Sequence, residues 1–262
     1  MNYKLIILGS GAAPGVPSLS GGWLACNPDN PKNKRNRTST YLEYKNTKIL
    51  IDTSPDIRYQ LIDNNIKDLD AVLFTHVHAD HLLGIDYLRE INRIQSKGIN
   101  FYSGPRNMVE IEKRFDYLIG HVKRPEDYIL IPSLLPHIIH PYEPFYINDL
   151  KITPIIMFDH SPESYGFVFN DGDIVYFSDF RKIDEKAFDM WKKQPELLII
   201  PLTNPKAQIT HAGFETVMQY IDKVNAKRVI INHMAGECDY DDINKRTPDN
   251  VEPAYDNMII EF

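Results

Sequence analysis

His76-Val77-His78-Ala79-Asp80-His81 places four metal-binding side chains within six residues, three of them imidazoles. A lone histidine has many structural uses, but a run this dense, directly after the apolar stretch Ala71 to Thr75, reads as a metal site at the end of a buried strand. Side chains two apart on extended backbone point the same way, so His76 and His78 can grip one ion together. Asp80 and His81 fall where the chain leaves the strand and can address a second ion. Imidazole with carboxylate suits Zn²⁺, and also Mn²⁺ or Fe²⁺. The chemistry on offer is hydrolysis by metal-activated water.

Elements on either side of this run must hold it in place. Tyr3 to Leu8 reads as a strand followed by a loop rich in Gly, Pro and Ser through Gly22. Gly9-Ser10-Gly11-Ala12-Ala13-Pro14 begins like a dinucleotide fingerprint but lacks its third glycine and the helix that should follow. Thr38 to Tyr44 and Thr47 to Ile51 form a hairpin ending in Asp52, with a short helix over Asp56 to Asp63. A helix over Asp86 to Gln95 and a strand over Ile99 to Ser103 come next. The second half repeats the scheme: Tyr165 to Phe169 and Ile174 to Phe177 flank the turn Asn170-Asp171-Gly172-Asp173, and this hairpin ends in Asp179. Strands Glu196 to Pro201 and Lys227 to Asn232 enclose a helix from Gly213 to Lys223. Strand-rich halves interleaved with helices predict two packed sheets covered by helices, in one domain over residues 1–262.

Composition bounds the rest. Hydrophobic residues at 43% and charged residues at 25% exclude disordered and fibrous classes. With 29 basic against 36 acidic side chains the net charge is −7, so a general coating of nucleic acid is not expected. Cys26 and Cys238 are the two cysteines, too few for a disulfide framework. No apolar run reaches the length of a leader core or a membrane span. The cytoplasm is the expected location, with no membrane contact.

The His76-Val77-His78-Ala79-Asp80-His81-Leu82-Leu83-Gly84 run resembles the HxHxDHxxG motif of the metallo-β-lactamase superfamily. The resemblance spans nearly the whole chain and implies an α+β fold, the four-layer αββα sandwich of two mixed sheets with outer helices. It also implies two divalent metal ions, zinc or manganese. Carried over by position, His76, His78 and His160 hold one, Asp80, His81 and His233 the other, and Asp179 bridges them. Asp52 matches the first acidic motif and orients the ligand histidines. His211, in Thr210-His211-Ala212-Gly213, matches an extra histidine that two phosphodiesterase branches place before a helix. His211, Asp80 and Asp52 are therefore the candidate catalytic residues beside the metal ligands.

Within the superfamily, Asp179 stands where common zinc β-lactamases have cysteine, and Leu83 interrupts the double glycine of glyoxalase II. Gly9 to Pro17 is similar to ribonuclease Z and to phosphoribosyl cyclic phosphate phosphodiesterases. Ser20 to Pro28 and Val251 to Asp256 resemble the second group. Some of its members hold a further zinc with three cysteines and a histidine. Here Gly21, Trp23 and Gly236 occupy three of those positions, so that zinc is not expected. The reading is a metal-dependent phosphodiesterase opening a small, cyclic phosphate by attack of a metal-bridging hydroxide, with His211 binding the phosphoryl group or protonating the leaving oxygen. Alternatives are a ribonuclease Z-like nuclease, a thioester or lactone hydrolase, and a non-enzymatic metal-binding sensor or structural protein. A small phosphorylated substrate is the expected partner; tRNA is disfavoured, and a homodimer is left open. Lys32, Lys34, Arg35 and Arg37 read either as a solvated loop or as a rim attracting phosphate. His121, His137 and His140 match no ligand motif.

Overall fold

The computed structural model describes residues 3–119 and 134–262. Its strands, in chain order, are β1 (Tyr3–Gly9), β2 (Ser39–Tyr44), β3 (Thr47–Ile51), β4 (Ala71–Leu73), β5 (Ile99–Ser103), β6 (Leu134–Ile138), β7 (Phe145–Ile147) and β8 (Leu150–Phe158). Then follow β9 (Ser164–Phe169), β10 (Ile174–Tyr176), β11 (Lys182–Ile183), β12 (Leu197–Pro201), β13 (Arg228–Asn232), β14 (Val251–Pro253) and β15 (Met258–Glu261). Two mixed sheets result. One runs β15-β1-β2-β3-β4-β5-β6 and the other β11-β8-β9-β10-β12-β13-β14, with β7 paired to β8. In each, an antiparallel hairpin passes into parallel strands: β2 and β3 into β4 and β5, β9 and β10 into β12 and β13. The repeated scheme read from the two hairpins is thus present as two similarly wound sheets.

Both faces of the first sheet are covered, which explains why β1 carries the unbroken apolar run Leu5 to Leu8. Leu5, Ile7, Ile49, Ile51 and Leu73 share a core with Ile155, Phe167 and Phe169 of the second sheet. Ile6, Leu8, Leu50 and Val72 face the opposite way, against helices α1 (Ile57–Asp63), α3 (Leu88–Gln95) and α4 (Pro105–Arg114). On the far side, Val217 and Ile221 of α5 (Phe214–Val224) and Ile243 of α6 (Tyr240–Arg246) join the core of the second sheet. The order is helix, sheet, sheet, helix. Truncating a buried aromatic such as Phe167 to alanine costs about 3–5 kcal/mol.

Several elements differ from the sequence reading. The strand expected to reach Thr75 ends at Leu73, because the Thr75 amide donates to the Asp52 carboxylate (2.8 Å) and leaves the ladder. A short helix α2 (Ala79–Leu82) was not anticipated, nor were α4 and the strands from 134 to 158. The helix expected from Asp86 starts as a 3-10 turn over Ile85–Tyr87 and becomes α-helical at Leu88. Gly84 closes the metal-motif run for a steric reason: a Cβ there would lie 2.0 Å from the Ser54 carbonyl oxygen. Among the described residues no helix is long and apolar enough to cross a membrane.

Candidate metal centre and active site

Loops at one end of both sheets converge on the histidine run. Past β4 the chain stays extended to His78, so His76 and His78 meet as the sequence reading anticipates, though in a loop rather than a strand. His76 Nε2 and His78 Nδ1 are 3.1 Å apart. His160, after β8, brings its Nε2 to 3.2 Å from the first and 2.9 Å from the second. The second group gathers around His81 and His233, whose Nε2 atoms are 3.3 Å apart. Asp80 Oδ2 lies 3.4 Å from His81 Nε2 and 3.3 Å from His233 Nε2. Asp179 Oδ2 belongs to both groups, at 3.4 Å from His81, 3.2 Å from His233 and 3.4 Å from His160. Three turns feeding the site pass through the left-handed region, at Asp52 (φ +60°), Asp159 (φ +62°) and His233 (φ +56°). Such outliers concentrate where a site requires them.

These donors fit divalent ions. Ligand atoms held tetrahedrally around zinc at about 2.0–2.1 Å stand about 3.3 Å apart. The separations in the second group, 3.2–3.4 Å, agree with that spacing. Facing imidazole nitrogens so close together without an intervening cation leave lone pairs opposed. His76, His78 and His160 form one group able to hold an ion, Asp80, His81, Asp179 and His233 a second, and His160, Asp179 and His211 a third that shares a residue with each of the others.

Each ligand imidazole but His78 has its other nitrogen tied to oxygen, which sets the tautomer. His81 Nδ1–H donates to Asp52 Oδ2 at 2.7 Å. The same oxygen accepts from the Thr75 hydroxyl (2.7 Å), and Thr75 Oγ1 in turn accepts from His76 Nδ1–H (2.9 Å). Asp52 thus orients one histidine directly and another through Thr75, and it is no member of either donor group. His160 Nδ1–H donates to the Thr210 carbonyl at 3.1 Å. His233 Nδ1–H donates to Thr203 Oγ1 at 3.0 Å. Sequence reasoning missed Thr75, Thr203 and Thr210; adjacency to the motif and to His211 was the one available signal, and Thr203 had none.

Electrostatics separates the groups. Burial, reinforced by neighbouring imidazoles, holds His76, His78 and His160 below their ordinary values, leaving them neutral lone-pair donors near pH 7. Burial opposes ionisation of Asp80 and Asp179, but His81 and His233 outweigh it and hold both carboxyls well below the usual range. His81 moves up despite burial, because Asp80, Asp52 and Asp179 surround it.

His211 stands beside both groups, its ring 4.6 Å from that of His160 and 5.9 Å from that of His233. Its Nδ1 is 3.1 Å from Thr203 Oγ1. The Thr203 hydroxyl has one proton; accepting from His233, it donates its own to His211 Nδ1. That leaves the His211 proton on Nε2. Burial pushes His211 down to about 4, so near neutral pH it is a neutral hydrogen-bond donor. With His78, Asp80, His160, Asp179 and His233 it lines a cavity of about 500 Å³.

The basic cluster does not line this cavity. Arg35 is 2% exposed and donates to the Ala235 carbonyl and Asn33. Arg37 pairs with Asp56, and Lys32 donates to Tyr240 and lies over its ring. Lys34 is exposed. His137 stacks on Tyr102 and His140 belongs to neither donor group; His121 lies outside the described residues.

Residues 47–234 match the beta-lactamase superfamily domain. The chain is 27% identical over 257 residues to an octanoyltransferase of Porphyromonas gingivalis, covering 97% of this chain and 51% of that protein, so it spans about half that relative's length. A ribonuclease Z of Clostridioides difficile is 28% identical over 157 residues, 56% of this chain and 48% of the other. Among solved structures, a diphosphatase from the PhnP family superposes with a TM-score of 0.88 at 27% identity, over 100% of this chain and 98% of that one.

Proposed function

The chain belongs to the beta-lactamase superfamily, and from that premise we propose that it is a metal-dependent phosphodiesterase acting on a small diester, a cyclic phosphate foremost. The observation that carries this reading is His211: the groups around His76 and around His81 each have their donors without it, its proton is directed to Nε2 by Thr203, and it faces the same cavity as His78, Asp80, His160, Asp179 and His233. The full-length likeness to a diphosphatase supports it.

His76, His78 and His160 would hold one ion, Asp80, His81 and His233 a second, and Asp179 would serve both; zinc or manganese suits these donors. Bound there, such ions lower the pKa of water toward neutrality and neutralise phosphoryl charge. His211 Nε2–H hydrogen-bonds a phosphoryl or leaving oxygen, and Thr203 keeps that proton aimed. Asp52 and Thr75 hold two imidazoles in the ligating tautomer. Both cysteines are free and buried, which suits a reducing cytoplasm.

The test is elemental analysis of the purified protein, followed by a panel of cyclic sugar phosphates, 2′,3′- and 3′,5′-cyclic nucleotides, precursor tRNA, an octanoyl thioester and a β-lactam. Hydrolysis of a cyclic diester, abolished by chelation and restored by zinc or manganese, is expected. Turnover confined to tRNA would favour the nuclease, and turnover confined to the thioester an acyl hydrolase. Two bound ions with no turnover across the panel would favour a binding protein.

A further inference from the structure

We infer that the substrate carries an uncharged, apolar group beside the scissile phosphate; this rests on the phosphodiesterase reading above. The cavity lining combines metal-donor residues and His211 with the apolar side chains of Ala12, Pro14, Leu24 and Ala235, beside the polar Ser18, Ser20 and Gln208. Leu24 is the largest of these apolar side chains. It sits at φ +50°, a region that bulky residues seldom adopt, and its side chain is 57% exposed. Two glycines make room for it: a Cβ at Gly21 would lie 3.0 Å from Leu24 Cδ2, and one at Gly236 3.1 Å from Leu24 Cδ1. The Ala25 amide donates to the Gly236 carbonyl at 2.9 Å and pins the loop there. The chain therefore holds a leucine in a costly backbone conformation, with apolar surface turned to the cavity.

Leu19 is 105% exposed and lies between the lining residues Ser18 and Ser20; Ile209 is 94% exposed and lies between Gln208 and Thr210. Both aliphatics are thus joined by the chain to segments that line the cavity. Because Leu24 and the donor residues line one cavity, the apolar group belongs to the diester itself. Charge points away from a second phosphate: Glu237 is exposed on the same cavity, and among the described residues no Lys or Arg lines it. In the reaction, water oxygen bonds to phosphorus, the bond from phosphorus to the leaving oxygen breaks, and that oxygen takes up the proton water releases. An acyclic diester keeps its other arm on the phosphate; a cyclic one opens to a single product that carries the apolar group.

The metallated full chain is assayed with three p-nitrophenyl diesters sharing one leaving group, their arms being methyl, phenyl and phosphorylated ethyl. The expected order of kcat/KM is phenyl above methyl by about tenfold, through KM, with the phosphorylated arm lowest. Leu24→Ser and Ile209→Ser should each narrow the ratio of phenyl to methyl; Ile209 is exposed enough for its variant to fold regardless. Equal rates on phenyl and methyl, or a ratio untouched by both variants, overturns the inference. If no diester is cleaved the phosphodiesterase reading fails separately, and binding decides: phenyl phosphate must still bind more tightly than methyl phosphate, and less so in Leu24→Ser, with equal affinities overturning the apolar arm. A dimer by light scattering that Ile209→Ser converts to monomer, with arm preference intact, would assign the surface to a second copy and also overturn it.

Discussion

His76, His78 and His160 form a group of three imidazoles ranging from buried to exposed, whereas Asp80, His81, Asp179 and His233 assemble two carboxylates and two imidazoles, all buried. The first group adds no formal charge when its histidines are neutral. The second concentrates two ionised carboxyls, with Asp52 behind His81. Coulomb attraction strengthens as the local dielectric falls, so an ion in the second group would be held more firmly than one in the first. The two positions are therefore unequal although one oxygen, Asp179 Oδ2, touches both.

Asp179→Ala is the most direct way to break this contrast. Removing the shared carboxylate should lower metal content at both positions and cut activity by about 10³-fold or more, several kcal/mol of transition-state stabilisation. His78→Ala, by comparison, should release one ion and leave the buried group loaded. Elemental analysis that finds one ion retained in Asp179→Ala, or both lost in His78→Ala, would sink the assignment of donors.

A smaller effect sharpens how the buried group speaks to the cavity. His211→Ala should keep both ions and slow diester hydrolysis by about 10²-fold or more, the usual range for a proton-handling group. Thr203→Val should reproduce part of that loss, about tenfold, since a methyl cannot direct the His211 proton. Thr203→Ser should restore the rate, which a purely structural role for the side chain would not require. If Thr203→Val keeps full rate on alkyl diesters, the hydroxyl is only packing.

How much of this was legible beforehand depends on whether the signal was local. His76 to His81 could be read because extended backbone alternates side chains within a few residues. Asp52 and Asp179 were visible as the ends of hairpins. His211 and His233 lie between strands whose parallel pairing joins residues far apart, such as Ile231 with Ile200, and His160 lies between β9 and the antiparallel β8, a strand the sequence reading did not delimit; only family resemblance placed all three. Thr203 was invisible, since a threonine hydroxyl takes its meaning from partners that folding brings. The basic cluster shows the opposite error: four neighbouring cations looked like a charged loop, but Asn33 and Arg35 turn inward and are buried against the chain after His233.

Asp52 tests the contrast from behind. It contacts His81 directly and His76 only through Thr75, so Asp52→Asn should weaken the buried group more than the three-imidazole group. A loss of about 10–100-fold in affinity for the more tightly held ion is expected, measured by competition with a chromogenic chelator. Equal weakening at both positions would mean that the relay through Thr75 to His76 is as effective as the direct contact with His81.

The smallest expected effect concerns whether a third metal position exists near Cys26 and Cys238. Cys26 Sγ donates to the Cys238 carbonyl at 3.5 Å, and Cys238 Sγ to the Leu202 carbonyl at 3.4 Å. Burial raises the Cys26 thiol and pushes that of Cys238 up to about 12, so both remain protonated, whereas a zinc ligand must be thiolate. The neighbouring Gly21 and Gly236 carry no donor and instead make room for Leu24. Replacing both cysteines by serine should therefore leave the metal count unchanged and lower stability by about 0.5–3 kcal/mol, through altered packing of two buried side chains. Loss of one whole ion per chain from the double variant, by elemental analysis of folded protein, would show that the contrast between two donor groups omits a third.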